Sequence, residues 1–299
     1  MDDPYPAICD YEGSDYQESF WERGGRAYED RAEALALARL LPGGGHCLLE
    51  VGAGAGRNTP RYRGFDQVVL LDYSRSQLEQ ARRRLGDSQR YRFVLADVYR
   101  MPFGPGVFDT ATMIRALHHM VDPQAALLRV RRSLASGGIL VLEFANKRNL
   151  KAILRWLVRR QAWNPLDPQT VEFTRLNYDF HPAAVRVWLA EAGFHVEQWL
   201  PVSFFRLALL KRAIPLPLLL AAESALQRLG RLALVTPSVF LRARASGKQA
   251  AGPAAFWRCP ACDALDLTER SDGLSCSSCG RSWPLRDGIY DFRVGKDEP

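Results

Sequence analysis

The sequence predicts an α/β protein, a doubly wound and mainly parallel sheet followed by a small cysteine-rich module. Three observations carry this reading. Short apolar runs alternate with amphipathic stretches, the order that buries strands between layers of helix. One apolar run enters a glycine turn, Leu48-Leu49-Glu50-Val51-Gly52-Ala53-Gly54-Ala55-Gly56-Arg57, and the next ends in an acid, Asp72. Two Cys-x-x-Cys pairs stand near the C-terminus, Cys259/Cys262 and Cys276/Cys279.

The elements follow in order. Tyr28–Leu41 is a helix with Ala32, Leu35, Ala36, Arg39 and Leu40 along one side, ended by Pro42 and three glycines. Cys47–Val51 is the first strand and Val68–Leu71 the second. Ser74–Leu85 is a helix with Leu78, Ala81 and Leu85 inward and Arg82, Arg83 and Arg84 largely outward. Phe93–Val98 is the third strand, with an acid at Asp97, and Val107–Ile114 is the fourth. Pro123–Leu134 is helical, stopped at Ser136-Gly137-Gly138, and Ile139–Phe144 is the fifth strand. Leu150–Arg160 sets Leu150, Ile153, Leu154 and Leu157 against Lys151, Arg155 and Arg159. His181–Gly193 is a helix and Phe194–Pro201 the sixth strand. Residues 204–235 form an insertion of two helices, Phe205–Ile214 and Leu218–Leu229, interrupted at Pro215 and Pro217. Pro237–Arg244 is the seventh strand, and residues 246–255 read as a linker.

The glycine turn lets backbone approach a ligand without Cβ interference. An acid at the tip of the second strand can accept hydrogen bonds from both hydroxyls of a ribose. A dinucleotide fold would want Gly-x-Gly-x-x-Gly, but Arg57 holds the third glycine's place. The spacing is Glu-x-Gly-x-Gly-x-Gly. It resembles motif I of the class I S-adenosylmethionine-dependent methyltransferases. Met101-Pro102-Phe103 and Val107–Ile114 then resemble the type 11 group, which includes the ubiquinone/menaquinone-biosynthesis type.

That resemblance implies a seven-stranded Rossmann-like sheet over residues 46–245, its sixth and seventh strands an antiparallel hairpin. It implies S-adenosylmethionine as cofactor and a lid in residues 1–45, with Tyr16, Phe20, Trp21 and Tyr28 as pocket candidates. It also implies site roles. Glu50 and the turn Gly52, Ala53, Gly54 and Gly56 would hold the methionine end. Asp72 would take the ribose, with Tyr73 beside the adenine. Asp97 and Val98 would meet the adenine edge, and Ile114 and Arg115 would close the floor. His118 and His119 follow the fourth strand, where substrate-facing residues collect, and are candidate bases. The basic stretch Asn146-Lys147-Arg148-Asn149 is expected near the site mouth, at a carboxyl strand end.

Composition sets the remaining expectations. The 299 residues are 47% hydrophobic and carry a net charge of +7, from an Arg-rich coding bias or toward an anionic partner. The acidic Met1-Asp2-Asp3-Pro4 lacks a signal-peptide core, and the run Ala213–Ala222 is too short to span a bilayer. A cytoplasmic protein is expected, with peripheral membrane association through the two basic amphipathic stretches as an option. Thirteen residues separate the cysteine pairs, so Cys259, Cys262, Cys276 and Cys279 suit one tetrahedral Zn2+; disulfides are the alternative. Residues 256–299, through Trp283–Phe292, resemble a small zinc-ribbon module. Such modules serve methyltransferase activators or RNA-methylating enzymes. The expected acceptor is a small or lipid-like molecule. The alternatives are an RNA base, with the ribbon for docking, and a non-catalytic scaffold that binds cofactor.

Overall fold

The computed structural model describes residues 6–14, 19, 21, 23–230, 233–247 and 255–293. Helix α1 (Ala27–Leu40) precedes β1 (Gly45–Val51), β2 (Phe65–Asp72), α2 (Arg75–Leu85), β3 (Tyr91–Leu95) and β4 (Phe108–Met113). Then come α3 (Pro123–Ser133), β5 (Leu134–Ala145), α4 (Leu150–Leu157), a hairpin of β6 (Val171–Thr174) and β7 (Asn177–Asp179), and α5 (Pro182–Glu191). The chain continues through β8 (Phe194–Val202), α6 (Ala208–Ala213), α7 (Leu216–Leu229) and β9 (Ser238–Ala245). Strands β10 (Leu267–Arg270), β11 (Gly273–Cys276), β12 (Ser282–Arg286) and β13 (Ile289–Asp291) complete it.

Seven of these strands lie in the order β3-β2-β1-β4-β5-β9-β8. The first five pair in parallel, and β9 runs antiparallel to both β5 and β8. Strand order reverses between β1 and β4. Neighbouring crossovers leave that point to opposite faces and open a crevice at the carboxyl ends.

The near-continuous apolar strands are explained by burial on both faces. Leu48 and Leu70 point toward α2, packing with Leu78 and Ala81. Their neighbours Leu49 and Leu71 point the other way, into the core that holds Ala126, Leu127 and Val130 of α3 and Val185 and Leu189 of α5. Further along the α2 face, Val141, Val202 and Phe240 pack with Ala32, Ala36 and Leu40 of α1 and Leu219 of α7.

Three features depart from expectation. Helix α7 starts at Leu216, so Pro217 lies in its first turn rather than breaking it. Proline is tolerated there because that N–H has no partner inside the helix. The β6–β7 hairpin carries no apolar alternation that would announce it, and β6 is mostly exposed. The cysteine module is not set apart from the sheet. Its strands β10-β11-β12-β13 continue the sheet to eleven, with β13 parallel to β3. The join is sealed by Phe292 N–H donating to Leu95 O (2.8 Å), Arg75 pairing with Asp291 (3.2 Å) and Trp257 stacking on Phe103 (5.9 Å between centroids).

Candidate active site

The carboxyl ends of β1, β2, β3 and β4 converge on one cavity. Val51, Gly52, Gly54, Leu71, Asp72, Tyr73, Gln77, Ala96, Val98, Tyr99, Arg115, Ala116, His119 and Met120 line it, and Ala7, Ile8, Cys9 and Tyr11 close one side. The three turn glycines have φ of +69°, +52° and +69°, a region costly for any residue with a Cβ. Their surroundings differ. A Cβ on Gly52 would strike that of Ala116 at 2.6 Å, and one on Gly56 would press on Ala81 of α2 at 3.1 Å. At Gly54 nothing stands nearer than Gln77 Oε1 at 3.9 Å, so this position faces open space. Gly56 therefore serves strand–helix packing, while Gly54 borders the cavity.

Asp72 is anchored by its neighbours. Gly54 N–H donates to Oδ2 (2.7 Å) and Ser74 N–H to Oδ1 (3.0 Å). Burial raises its pKa, opposed by these backbone hydrogen bonds. Each carboxylate oxygen retains a lone pair for a ligand hydroxyl. The turn's own donors are spent: Gly52 N–H and Ala53 N–H both donate to Leu71 O (2.9 and 3.1 Å). Carbonyl oxygens remain there, which suits an ammonium ligand rather than an anion. Glu12 caps α2, accepting from Arg75 N–H (2.8 Å) and Ser76 N–H (3.1 Å), so the N-terminal segment that walls the cavity is tied down.

Other expected residues lie behind this lining. Glu50 is fully buried, accepting from Thr59 Oγ1 (2.6 Å) and Tyr62 Oη (3.0 Å), and burial pushes its carboxyl up to about 7. Ala53 packs in the core beside α2 and Ile114 in the core beside α1. Asp97 accepts from Tyr99 N–H (2.8 Å), turning the chain so that Val98 and Tyr99 face the cavity. Asn146 and Lys147 are buried braces: Asn146 donates to Leu234 O and Thr236 O, Lys147 to Gln169 O. Tyr16 and Phe20 fall outside the described residues. Tyr28 points to Glu223 of α7, and Trp21 lies under the guanidinium of Arg57 at 3.6 Å.

The two histidines differ. His119 lines the cavity with both nitrogens engaged, Nδ1 by Leu176 O (3.2 Å) and Nε2 by the Tyr11 hydroxyl (3.0 Å). A carbonyl only accepts, so Nδ1 carries the proton and Nε2 accepts from Tyr11. His118 is more deeply buried and its Nδ1 has no partner. Burial and the neighbouring His119 and Arg115 hold its pKa well below the usual range, so it is neutral at pH 7.

Beside the cavity lies an ion network with no motif of its own in the sequence. Glu33 is wholly buried and pairs with Arg57 (2.7 Å) and Arg115 (2.6 Å). Arg115, at φ +57°, is also fixed by its N–H donating to Glu143 Oε2 (2.9 Å). The cysteine module has its own cluster. Four sulfurs lie within 4.8 Å of one another, with Cys259–Cys279 at 3.7 Å and Cys262–Cys276 at 3.6 Å, and none is bonded to another.

Comparison with known proteins gives this arrangement a family. A family model described as a methyltransferase domain matches residues 49–142, from the first strand to the fifth. The ubiquinone/menaquinone biosynthesis C-methyltransferase of Paracoccus denitrificans is 30% identical over 183 residues, 55% of this chain and 72% of that protein. The chain belongs to the class I S-adenosylmethionine-dependent methyltransferases. The demethylmenaquinone methyltransferase of Clavibacter sepedonicus is 35% identical over 119 residues, 39% of this methyltransferase and 49% of its own length. The chain spans about half the length of the first curated relatives it matches. Among solved structures, a chain from the complex of the Haloferax volcanii Trm112 methyltransferase activator with a methyltransferase aligns at TM-score 0.52 and 19% identity. That alignment covers 78% of this methyltransferase and 97% of that chain, a likeness of fold.

The cavity suits the family's cofactor on its own chemistry. Open backbone at Gly54 and a buried carboxylate at Asp72 are placed as a nucleoside with a zwitterionic tail requires.

Proposed function

We propose that the protein transfers a methyl group from S-adenosylmethionine to a small or lipid-like acceptor. The observation that carries this reading is the cavity itself, where Asp72 and the glycine turn meet Arg115 and His119 at the strand ends. When bound, S-adenosylmethionine supplies an electrophilic methyl group on a sulfonium. The chain's part is to hold, orient and exclude water, which is the greater share of catalysis for so reactive a donor. Asp72 would accept from the ribose hydroxyls, Tyr73 and Val98 would flank the adenine, and carbonyls of the glycine turn would accept from the ammonium. Glu50, Asp97 and Ile114 act from behind the lining by holding it in place. Neutral His118 and Tyr11-bound His119 are the candidate proton acceptors beyond Arg115.

Two further readings attach to this one. The four cysteines hold one structural Zn2+. Zn–S bonds of about 2.3 Å set tetrahedral sulfur–sulfur edges near 3.8 Å, and the 3.6 and 3.7 Å separations match. A lipid-like acceptor is favoured by α4, where Leu150, Leu154 and Leu157 are 54–63% exposed beside Lys151 and Arg155. Amphipathic helices of this kind rest on anionic bilayers. No helix among the described residues is long and apolar enough to cross a membrane.

The test is incubation with methyl-labelled S-adenosylmethionine and a cell extract. Label in solvent-extractable or small-molecule fractions is expected. Label in RNA would instead favour a base methyltransferase docked through the ribbon, and cofactor binding without any transfer would favour a scaffold.

A further inference from the structure

Arg206 is the unexplained charge of the interior. Its Nε and Nη2 are closed off from solvent and make no hydrogen bond. A buried guanidinium without a partner is costly, and folds do not keep one without a use. Four carboxylates lie within electrostatic range: Glu33, Glu143, Glu29 and Asp179. None takes a hydrogen bond from those nitrogens. Glu33 is taken by Arg57 and Arg115, Glu143 by Arg115 N–H and Ser238 Oγ, and Glu29 Oε1 by Lys211 (2.9 Å).

The loop that presents Arg206 is built for rigidity. Ser203 sits at φ +69°. Its N–H and that of Phe204 donate to the two oxygens of buried Glu223 on α7 (2.8 and 3.0 Å). The next N–H, of Phe205, donates to Tyr28 Oη of α1 (3.0 Å), and that hydroxyl donates to Glu223. Two helices thus clamp three consecutive amides immediately before Arg206. The positive charge that acts on it most strongly is Arg115, which lines the cofactor cavity.

We propose that Arg206 recognises an anionic oxygen on the methyl acceptor, a carboxylate or an ionised phenol or enol. Guanidinium binds such groups through paired, charge-assisted hydrogen bonds, and two adjacent donors are left open here. This rests on the methyl-transfer reading above and names the chemical class of its acceptor. It also gives the helical insertion a task, because Glu223 and the 203–205 loop belong to it.

The test uses the full chain saturated with S-adenosylhomocysteine, whose own binding checks the underlying reading independently. Calorimetry then compares three probes: benzoate, 2,4-dinitrophenolate and uncharged benzamide. At least one anion should bind tenfold or more tighter than benzamide. Preference for benzoate indicates a carboxylate-bearing acceptor, and preference for dinitrophenolate an ionised nucleophile. Arg206→Met should abolish the preference, Arg206→Lys should keep part of it, and S-adenosylhomocysteine affinity should not change. The melting temperature of Arg206→Met should hold or rise, since the deleted guanidinium nitrogens bond to nothing. Equal binding of anions and benzamide, a preference that survives Arg206→Met, or a marked fall in its melting temperature would each overturn the proposal. The last would mean that Arg206 merely balances the acids around it.

Discussion

Asp72 serves two masters, the backbone around it and a ligand. Its oxygens already hold Gly54 and Ser74 N–H, so Asp72→Ala removes a turn anchor along with a ribose acceptor. We expect S-adenosylmethionine affinity to fall by about 1–3 kcal/mol in calorimetry, with a modest loss of melting temperature. Unchanged affinity would remove Asp72 from the cofactor site. His118 gives a pH signature. Its folded pKa lies well below the unfolded value because burial opposes charge. Protonation therefore favours unfolding: the contribution is intact above about pH 6.5 and is lost as pH falls. His118→Leu should flatten the decline of melting temperature between pH 7 and pH 5. If wild type and variant decline in parallel, another group governs acid stability.

At the scale of elements, α7 separates core from cover. Leu219 is 2% exposed and packs against the sheet, while its neighbour Leu218 is 62% exposed. Leu219→Ala should cost about 2–4 kcal/mol in denaturant unfolding, and Leu218→Ala less than about 0.5. Equal costs would mean that the helix is seated differently. Helix α4 is the element for membrane contact. Flotation with anionic liposomes should recover the protein at low salt and lose it at high salt, and Leu150→Ser with Leu154→Ser should abolish recovery. Indifference of the wild type to anionic liposomes would end the membrane reading. The helices were legible from the 3.6-residue spacing of their leucines and alanines. Which leucines meet the sheet was not, because Leu218 and Leu219 are equally apolar and differ only in what the fold sets against them.

For the whole molecule, the ribbon and the cofactor cavity share one sheet. Strand β13 pairs with β3, and β3 leads directly into cavity residues Ala96 and Val98. Elemental analysis should find about one zinc per chain. Chelation should lower the melting temperature and also weaken S-adenosylmethionine binding, because a small metal module loses its fold with its ion and β3 loses an edge partner. If chelation leaves cofactor affinity untouched, the ribbon is an appendage thermodynamically as well as in chain order.

The sequence alone determined the local chemistry. Strands declared themselves by unbroken apolar runs, the glycine turn by spacing, Asp72 by its place at a strand tip, and the cysteines by two short pairs. Each of these signals is confined to a few neighbouring residues. Tertiary structure decided what depends on residues far apart in the chain. It took Glu50 behind the cavity wall, turned Gly56 toward α2, and gave Lys147 a buried backbone partner. It brought Glu33 to Arg115 across 82 positions and joined the ribbon to β3. Arg206 shows the reason most plainly: beside Phe205 it reads as one more basic residue near a helix, and only Glu223 and Tyr28, distant in sequence, hold its loop so that the charge turns inward.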